Sequence, residues 1–304
     1  MIFTAIDLFA GLGGFTEAAE KSGVSVLWAA NHWQAAVDIH ALNHPGVVHS
    51  CQDLHQADWE QVPRHDILLA SPCCQGHSKA RGKDRPHSDK SRSTAWAVVS
   101  CAEYHRPPFV VVENVPEFLD WSLFPAWKMA MEHLGYALAT QVFDAADAGI
   151  PQHRRRMFIV ATRSRSPISI NPPAESHLAA GPFINWNAGA WSNVNRPGRA
   201  VKTLARIDRG RQAFGERFLI SFYGNTKTGR SLDRPIGTIT TRDRWAAVDG
   251  NRMRMLSKEE CRSFMGFVPT YILPENHRTA VHLLGNAVPP FLAAHVLSEV
   301  RRAA

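Results

Sequence analysis

The feature that most narrows the fold is a repeated order in the first half of the chain: a short apolar run, a turn, then a helical pattern. Residues 2–8 form a β-rich apolar run, and Gly11-Leu12-Gly13-Gly14 turns into a helical stretch over 15–22 that Gly23 closes. Residues 24–30 predict a second strand, and apolar periodicity over 34–42 predicts a second helix that stops near Pro45. Continuous apolar runs at 66–70, 109–112 and 157–161 predict further strands. Strands without strict alternation, separated by helices, call for a sheet covered on both faces. The expected fold class is therefore α/β, with a doubly wound, mostly parallel sheet and ligands at the carboxyl ends of its strands.

Past Thr162 the pattern changes. From Arg163 to about Asp233 the chain is rich in Arg, Asn, Pro and Gly, with scattered Trp and Phe and no βα rhythm. It reads as a smaller, loop-rich module. Helical pattern returns at Ser257, where Ser257 and Glu260 have capping-box spacing, and a last helix follows Pro289-Pro290. The expected division is a first domain over 1–163, a second over 164–255, and a segment over 256–304 that returns to the first. The apolar runs are too short for a membrane span, and the N-terminus has no export pattern, so no membrane contact and a cytoplasmic location are expected. The net charge of +7 is compatible with a polyanionic partner without requiring one. Five cysteines in no disulfide framework or CxxC pairing suggest reduced thiols, and no metal site is expected.

Five segments carry residues suited to chemistry. Asp7-Leu8-Phe9-Ala10-Gly11-Leu12-Gly13-Gly14, between first strand and first helix, lets backbone approach a ligand closely, as adenosine and nicotinamide sites both require. Ser71-Pro72-Cys73-Cys74-Gln75 puts a thiol at a strand end beside a basic run, where it could act as a nucleophile or simply be structural; Cys51, Cys101 and Cys261 are read as structural. Glu113-Asn114-Val115 sets a carboxylate directly after four apolar residues, partly desolvated and suited to a ring nitrogen. In Gln152-His153-Arg154-Arg155-Arg156, strand alternation places Arg154 and Arg156 on one face and Arg155 on the other. Between Cys74 and Ala95, Ser78, Lys79, Arg81 and Lys83 begin a run that reads as a phosphate-seeking loop or a solvated one.

In this order and spacing, together with the Asp53-Leu54 pair and Gly285-Asn286-Ala287-Val288-Pro289-Pro290, the motifs resemble those of the DNA cytosine-5 methyltransferase family. The resemblance covers nearly everything outside about 163–233, and implies a Rossmann-like methyltransferase domain with a loop-rich target-recognition domain. It implies S-adenosylmethionine as cofactor, with S-adenosylhomocysteine as product. Phe9 would stack on the adenine, Gly11, Leu12 and Gly13 would shape the pocket, Asp53 would hydrogen-bond the adenine, and Asn286 would border the methionine end. Ala10, Asn31, His32, Leu54, Pro72 and Ala287 complete the implied cofactor set. Cys74 would attack C6 of a flipped cytosine, Glu113 would contact N3 and the exocyclic amine, Arg156 would contact O2, and Arg154 would support the nucleophile's loop. Ser78, Lys79, Arg81 and Lys83 would touch DNA.

Three positions depart from the family's pattern: Cys73 stands where Pro is common, Asn31 where a ribose-binding glutamate is usual, and His77 where Phe is common. The implied partner is double-stranded DNA, bound by a monomer that is bacterial or phage-encoded and nucleoid-associated, with room for a cognate restriction endonuclease. Three rival readings stand beside this one: a tRNA cytosine-5 methyltransferase, a silent DNA-binding homologue, and a nicotinamide oxidoreductase. The last leaves Cys74 and the arginines idle.

Overall fold

The computed structural model describes residues 2–73, 93–223 and 226–304. They fall into two compact units: Met1–Asp144, Arg155–Ala174 and Val288–Ala304 form the first, and Ala145–Arg154 with Glu175–Ala287 form the second.

The first unit is the expected α/β layer structure. Its elements are β1 (Phe3–Leu8), α1 (Gly14–Lys21), β2 (Val24–Asn31), α2 (Gln34–Asn43), β3 (Val48–Cys51), β4 (Ile67–Ala70), α3 (Trp96–His105), β5 (Phe109–Asn114), α4 (Phe124–His133), β6 (Ala137–Asp144), β7 (Arg155–Thr162) and, after the second unit, α8 (Pro290–Ala303). Seven strands lie in the order β3-β2-β1-β4-β5-β7-β6. Strands β1 to β5 run parallel, while β7 pairs antiparallel with both β5 and β6. The central strands are apolar along their length because both faces are covered; Ile67, Leu68, Leu69 and Ala70 of β4 are fully buried. Strand order reverses between β1 and β4, which is where a doubly wound sheet opens a crevice at its carboxyl edge.

Helix α1 starts abruptly. Gly13 supplies a left-handed turn, φ 95°, that L side chains rarely adopt. Gly14 lies so near the chain entering α8 that a β-carbon there would sit 2.0 Å from the Val288 carbonyl oxygen. At the far end of α1, the Ser22 hydroxyl donates to the Ala294 carbonyl at 3.2 Å and ties the two helices together. Glu17 in the first turn and Lys21 in the last complement the helix dipole.

The second unit holds more regular structure than its composition suggests. Strands β8 (Ser192–Asn193), β9 (Arg217–Ser221), β10 (Trp245–Asp249) and β11 (Arg252–Met255) make an antiparallel sheet in the order β8-β11-β10-β9, with α5 (Val201–Phe214) packed on β9. Its core is Val194, Ile207, Phe218, Ile220, Ala246, Val248 and Met253. The capping box expected at Ser257 is present at the start of α6 (Lys258–Phe264). The same Glu260 also pairs with Arg254 at 2.6 Å, both side chains buried.

The unit boundaries differ from those expected at 163/164 and 255/256. Residues 145–154 group with the second unit, as does 256–287 including α7 (His277–Asn286), and only Val288–Ala304 returns to the first. Gln152 shows why: its buried amide donates to the Phe264 carbonyl at 2.8 Å and accepts the Ile239 N–H at 2.6 Å. By composition the stretch His277–Ala303 is apolar enough for a membrane span. It is nonetheless divided by an extended Ala287–Pro289 into helices of 10 and 14 residues, each short of the ~20 a span needs.

Candidate active site and cofactor edge

At the carboxyl edge of the first unit, the expected residues line up strand by strand. After β1, the loop Phe9–Gly13 is held by backbone: Ala10 N–H donates to the Ala30 carbonyl at 3.0 Å, and Gly13 N–H to that of Ala10 at 2.8 Å. Phe9 itself is left-handed, φ 62°, and its half-buried ring packs on the core. A non-glycine residue is rarely found there, and such strain gathers at ligand clamps. Leu12 is buried, so it supports the loop from beneath.

After β2, Asn31 is buried, and its amide oxygen accepts the Trp33 N–H at 3.0 Å. That turn spends the Asn31 side chain on backbone, and the exposed side chain at this edge is its neighbour, His32. After β3, Asp53 is exposed and accepts the His55 N–H at 3.0 Å, while Leu54 is core.

After β4, three consecutive residues are fixed. Ser71 N–H donates to the Leu8 carbonyl at 3.1 Å. The Pro72 carbonyl accepts from the Asn114 amide at 3.0 Å, and Cys73 N–H donates to the Thr94 hydroxyl at 3.1 Å. Cys74 follows directly; it, Ser78, Lys79, Arg81 and Lys83 lie outside the described residues. Asn114 and Thr94 thus fasten the approach to the candidate nucleophile. The sequence reading gave neither a role, because a side chain's reach across two strands leaves no local signal.

At the end of β5, Glu113 is buried, and Arg156 of β7 meets it with Nε 2.9 Å from Oε1. Their side chains are 7% and 10% exposed, so this is a desolvated ion pair rather than a surface one. The predicted alternation holds, with Arg156 and Arg154 buried and Arg155 exposed. Arg154, however, belongs to the second unit, where its guanidinium donates to the carbonyls of Ile239 at 2.9 Å, Gly285 at 2.9 Å and Ala287 at 3.0 Å. The support it gives among the described residues is to that backbone. Asn286 is exposed in the same unit, its amide 3.2 Å from His282 Nε2, and Ala287 is buried.

Among the described cysteines, Cys101 and Cys261 are buried, and burial pushes both thiols far above their usual range, which makes them inert. Cys51 is exposed, against the structural role read for it, because β3 is an edge strand.

A glycine-rich loop at the switch point of this sheet, with a buried acid–arginine pair two strands away, defines a Rossmann-like methyltransferase unit. The chain belongs to the C-5 cytosine-specific DNA methylase family, whose model matches residues 3–302, and its class is DNA (cytosine-5)-methyltransferase. It is 27% identical over 305 residues to the type II methyltransferase M.HhaI of Haemophilus parahaemolyticus, covering 93% of this chain and 89% of that one. It is 32% identical over 185 residues to the type II methyltransferase M.AgeI of Thalassovita gelatinovora, a match that spans 57% of this chain but only 42% of that protein. Among solved structures, the Entamoeba histolytica methyltransferase EhMeth shares the fold with a TM-score of 0.70, at 17% identity over 100% of this chain and 99% of that one.

Proposed function

We propose that the protein transfers a methyl group from S-adenosylmethionine to C5 of a cytosine flipped out of double-stranded DNA, through a covalent bond between Cys74 and C6. The observation that carries this reading is the buried Glu113–Arg156 pair beside a strand end whose Pro72 is tied to Asn114, the residue next to that glutamate. It couples the two loops the chemistry needs.

The residues fit the cofactor on three counts. Gly13, the N-cap residue of α1, has no capping side chain, and a carboxylate is favoured at a helix N-terminus. The half-buried Phe9 ring offers a face for a purine, and Asp53 and His32 are exposed at the adjoining strand ends, placed to meet adenine and ribose. Ala10, Gly11, Leu12, Asn31, Leu54 and Pro72 shape that edge. When bound, S-adenosylmethionine supplies the electrophilic methyl group.

The chain's own residues do the rest. Cytosine C5 is a weak nucleophile inside an aromatic ring. Addition of the Cys74 thiolate at C6, with Arg156 donating to O2 and a proton taken up on base binding held between Glu113 and N3, moves electron density to C5. Once C5 carries the methyl group, N3 gives up that proton, C5 loses its own to solvent water, and the Cys74 thiolate leaves to restore the ring. The base must leave the stack to be reached, at about a few kcal/mol. Ser78, Lys79, Arg81 and Lys83 are assigned to DNA phosphates.

Sequence readout falls to the second unit. There Tyr223 Oη donates to the Thr238 carbonyl at 2.8 Å, and Phe222 N–H to that of Arg244 at 2.8 Å, joining two loops that expose Lys227, Arg230 and Arg242. Donors of this kind suit guanine edges in a major groove. Grafting 222–244 from a relative of different specificity tests the assignment: the methylated site should change, and an unchanged site refutes it.

A further inference from the structure

Behind β1 runs a line of polar side chains drawn from four elements. Asp7 is fully buried, and its Oδ2 accepts the Thr16 hydroxyl of α1 at 2.9 Å. Thr16 Oγ1 lies 3.1 Å from Nε2 of His40 on α2, and His40 Nδ1 lies 2.8 Å from Nε2 of His49 on β3. Counting hydrogens gives the line a direction. A hydroxyl has one hydrogen, and that of Thr16 goes to Asp7, so His40 Nε2 must donate to Thr16. A neutral imidazole has one N–H, so His40 Nδ1 is left as an acceptor facing His49 Nε2. The Thr16 hydroxyl and the His40 Nε2–H both point inward, toward Asp7. Burial, then the neighbouring His44 and His49, holds His40 well below the ordinary imidazole range, so the neutral ring this direction requires is the form present at neutral pH.

The other carboxylate oxygen, Asp7 Oδ1, is buried and has no hydrogen-bond partner among the described residues. Leaving such an atom unmatched is expensive. Lys21 is paired with Glu17 at 3.1 Å, and His44 Nδ1 lies 2.9 Å from Glu20 Oε1. Asp7 stands two residues before Phe9, at the strand end that leads into the glycine-rich loop.

We propose that Thr16 and His40 are positioning residues for cofactor binding, acting through Asp7: the inward-pointing donors fix one carboxylate oxygen and leave Oδ1 for the ammonium group of the cofactor. This rests on the S-adenosylmethionine reading above. An ammonium matched to a desolvated carboxylate oxygen is among the stronger hydrogen bonds available to it. The sequence does not show this line, since Thr16 and His40 meet only when α1 and α2 pack.

Calorimetric binding of S-adenosylmethionine and S-adenosylhomocysteine to the full chain, without DNA, tests this. Thr16→Val and His40→Phe should each weaken both ligands by about ten-fold, the weight of one hydrogen bond to a charged group. Thr16→Ser, which keeps the hydroxyl, should restore binding. In an Asp7→Asn background, His40→Phe should add nothing, because the line no longer ends on a charge. Equal losses from His40→Phe with and without Asp7→Asn would overturn the proposal, as would Thr16→Ser binding no better than Thr16→Val. A loss confined to S-adenosylmethionine would contradict the ammonium assignment, since both ligands carry that group. Thermal melts identify any variant that fails to fold, and His40→Gln then replaces His40→Phe in the same comparison. Wild type that binds neither ligand would instead refute the cofactor reading.

Discussion

Removing the charge of Glu113 should destabilise the first unit and stop catalysis, and the two effects can be separated. Glu113 and Arg156 are 7% and 10% exposed with Nε 2.9 Å from Oε1, so water screens the pair little. Breaking one side of a buried pair leaves the other charge uncompensated, which costs about 3–5 kcal/mol. Glu113→Gln keeps the shape and one acceptor, which places it near the low end, about 3 kcal/mol. Arg156→Met should fall in the same range. The double variant should be little worse than either single, because neither charge is then left alone; the expected coupling is about 2–3 kcal/mol. Hydrogen exchange of the β5 and β7 amides under native conditions reads the local free energy. Single and double losses that add to within about 0.5 kcal/mol would refute the ion-pair reasoning. Methyl transfer should fall by at least about 100-fold in Glu113→Gln even where the fold is intact, the weight of a positioned acid–base group.

Gly14→Ala should destabilise the first unit by several times the ~1 kcal/mol of an ordinary helix substitution, because its β-carbon would meet the Val288 carbonyl at 2.0 Å; a melt within a few degrees of wild type would contradict that packing. Asp7 is pushed by burial from 3.8 up to about 7, against the opposing hydrogen bonds from Thr16. Between about pH 4 and 7 the cofactor-free native state therefore holds a proton that the unfolded chain has released, so stability falls as pH rises across that window. Asp7→Asn should flatten that fall in unfolding curves at pH 5 and 8, and an unchanged slope would show that Asp7 is not its source. Replacing Lys79, Arg81 and Lys83 together should weaken DNA binding across all sequences and lower its salt dependence; an unaltered salt slope would remove those residues from the phosphate contacts.

What could be read from sequence was local. β1, α1, β2 and α2 each announce themselves through an apolar run, a turn glycine or a 3.6-residue period, and all four stand where expected. β3 and β6 carry no such signal: Val48–Cys51 is an edge strand with an exposed Val48, and among the described residues β6 pairs only with β7, half-buried along most of its length. In the second unit, strands of 2 to 5 residues pair across long sequence separations except in the hairpin of β10 and β11, so a sheet read as loops. The site follows the same rule. Glu113 is legible because it follows the run Phe109–Val112, and Arg154 and Arg156 because alternation separates them from Arg155. Asn31 stands where a ribose-binding glutamate is usual in the family, and its buried amide oxygen accepts the Trp33 N–H, a local turn that only backbone geometry shows. His40 on α2 and His44 just past its end carry no local signal, because their partners Thr16, His49 and Glu20 come from other elements.

The central claim is best tested by methyl transfer from labelled S-adenosylmethionine to duplex DNA, with tRNA in parallel, using wild type and Cys74→Ser. The account predicts label in 5-methylcytosine of DNA with wild type, and none with Cys74→Ser although that variant still binds DNA. Label in tRNA alone would contradict the substrate, and undiminished transfer by Cys74→Ser would contradict the covalent mechanism.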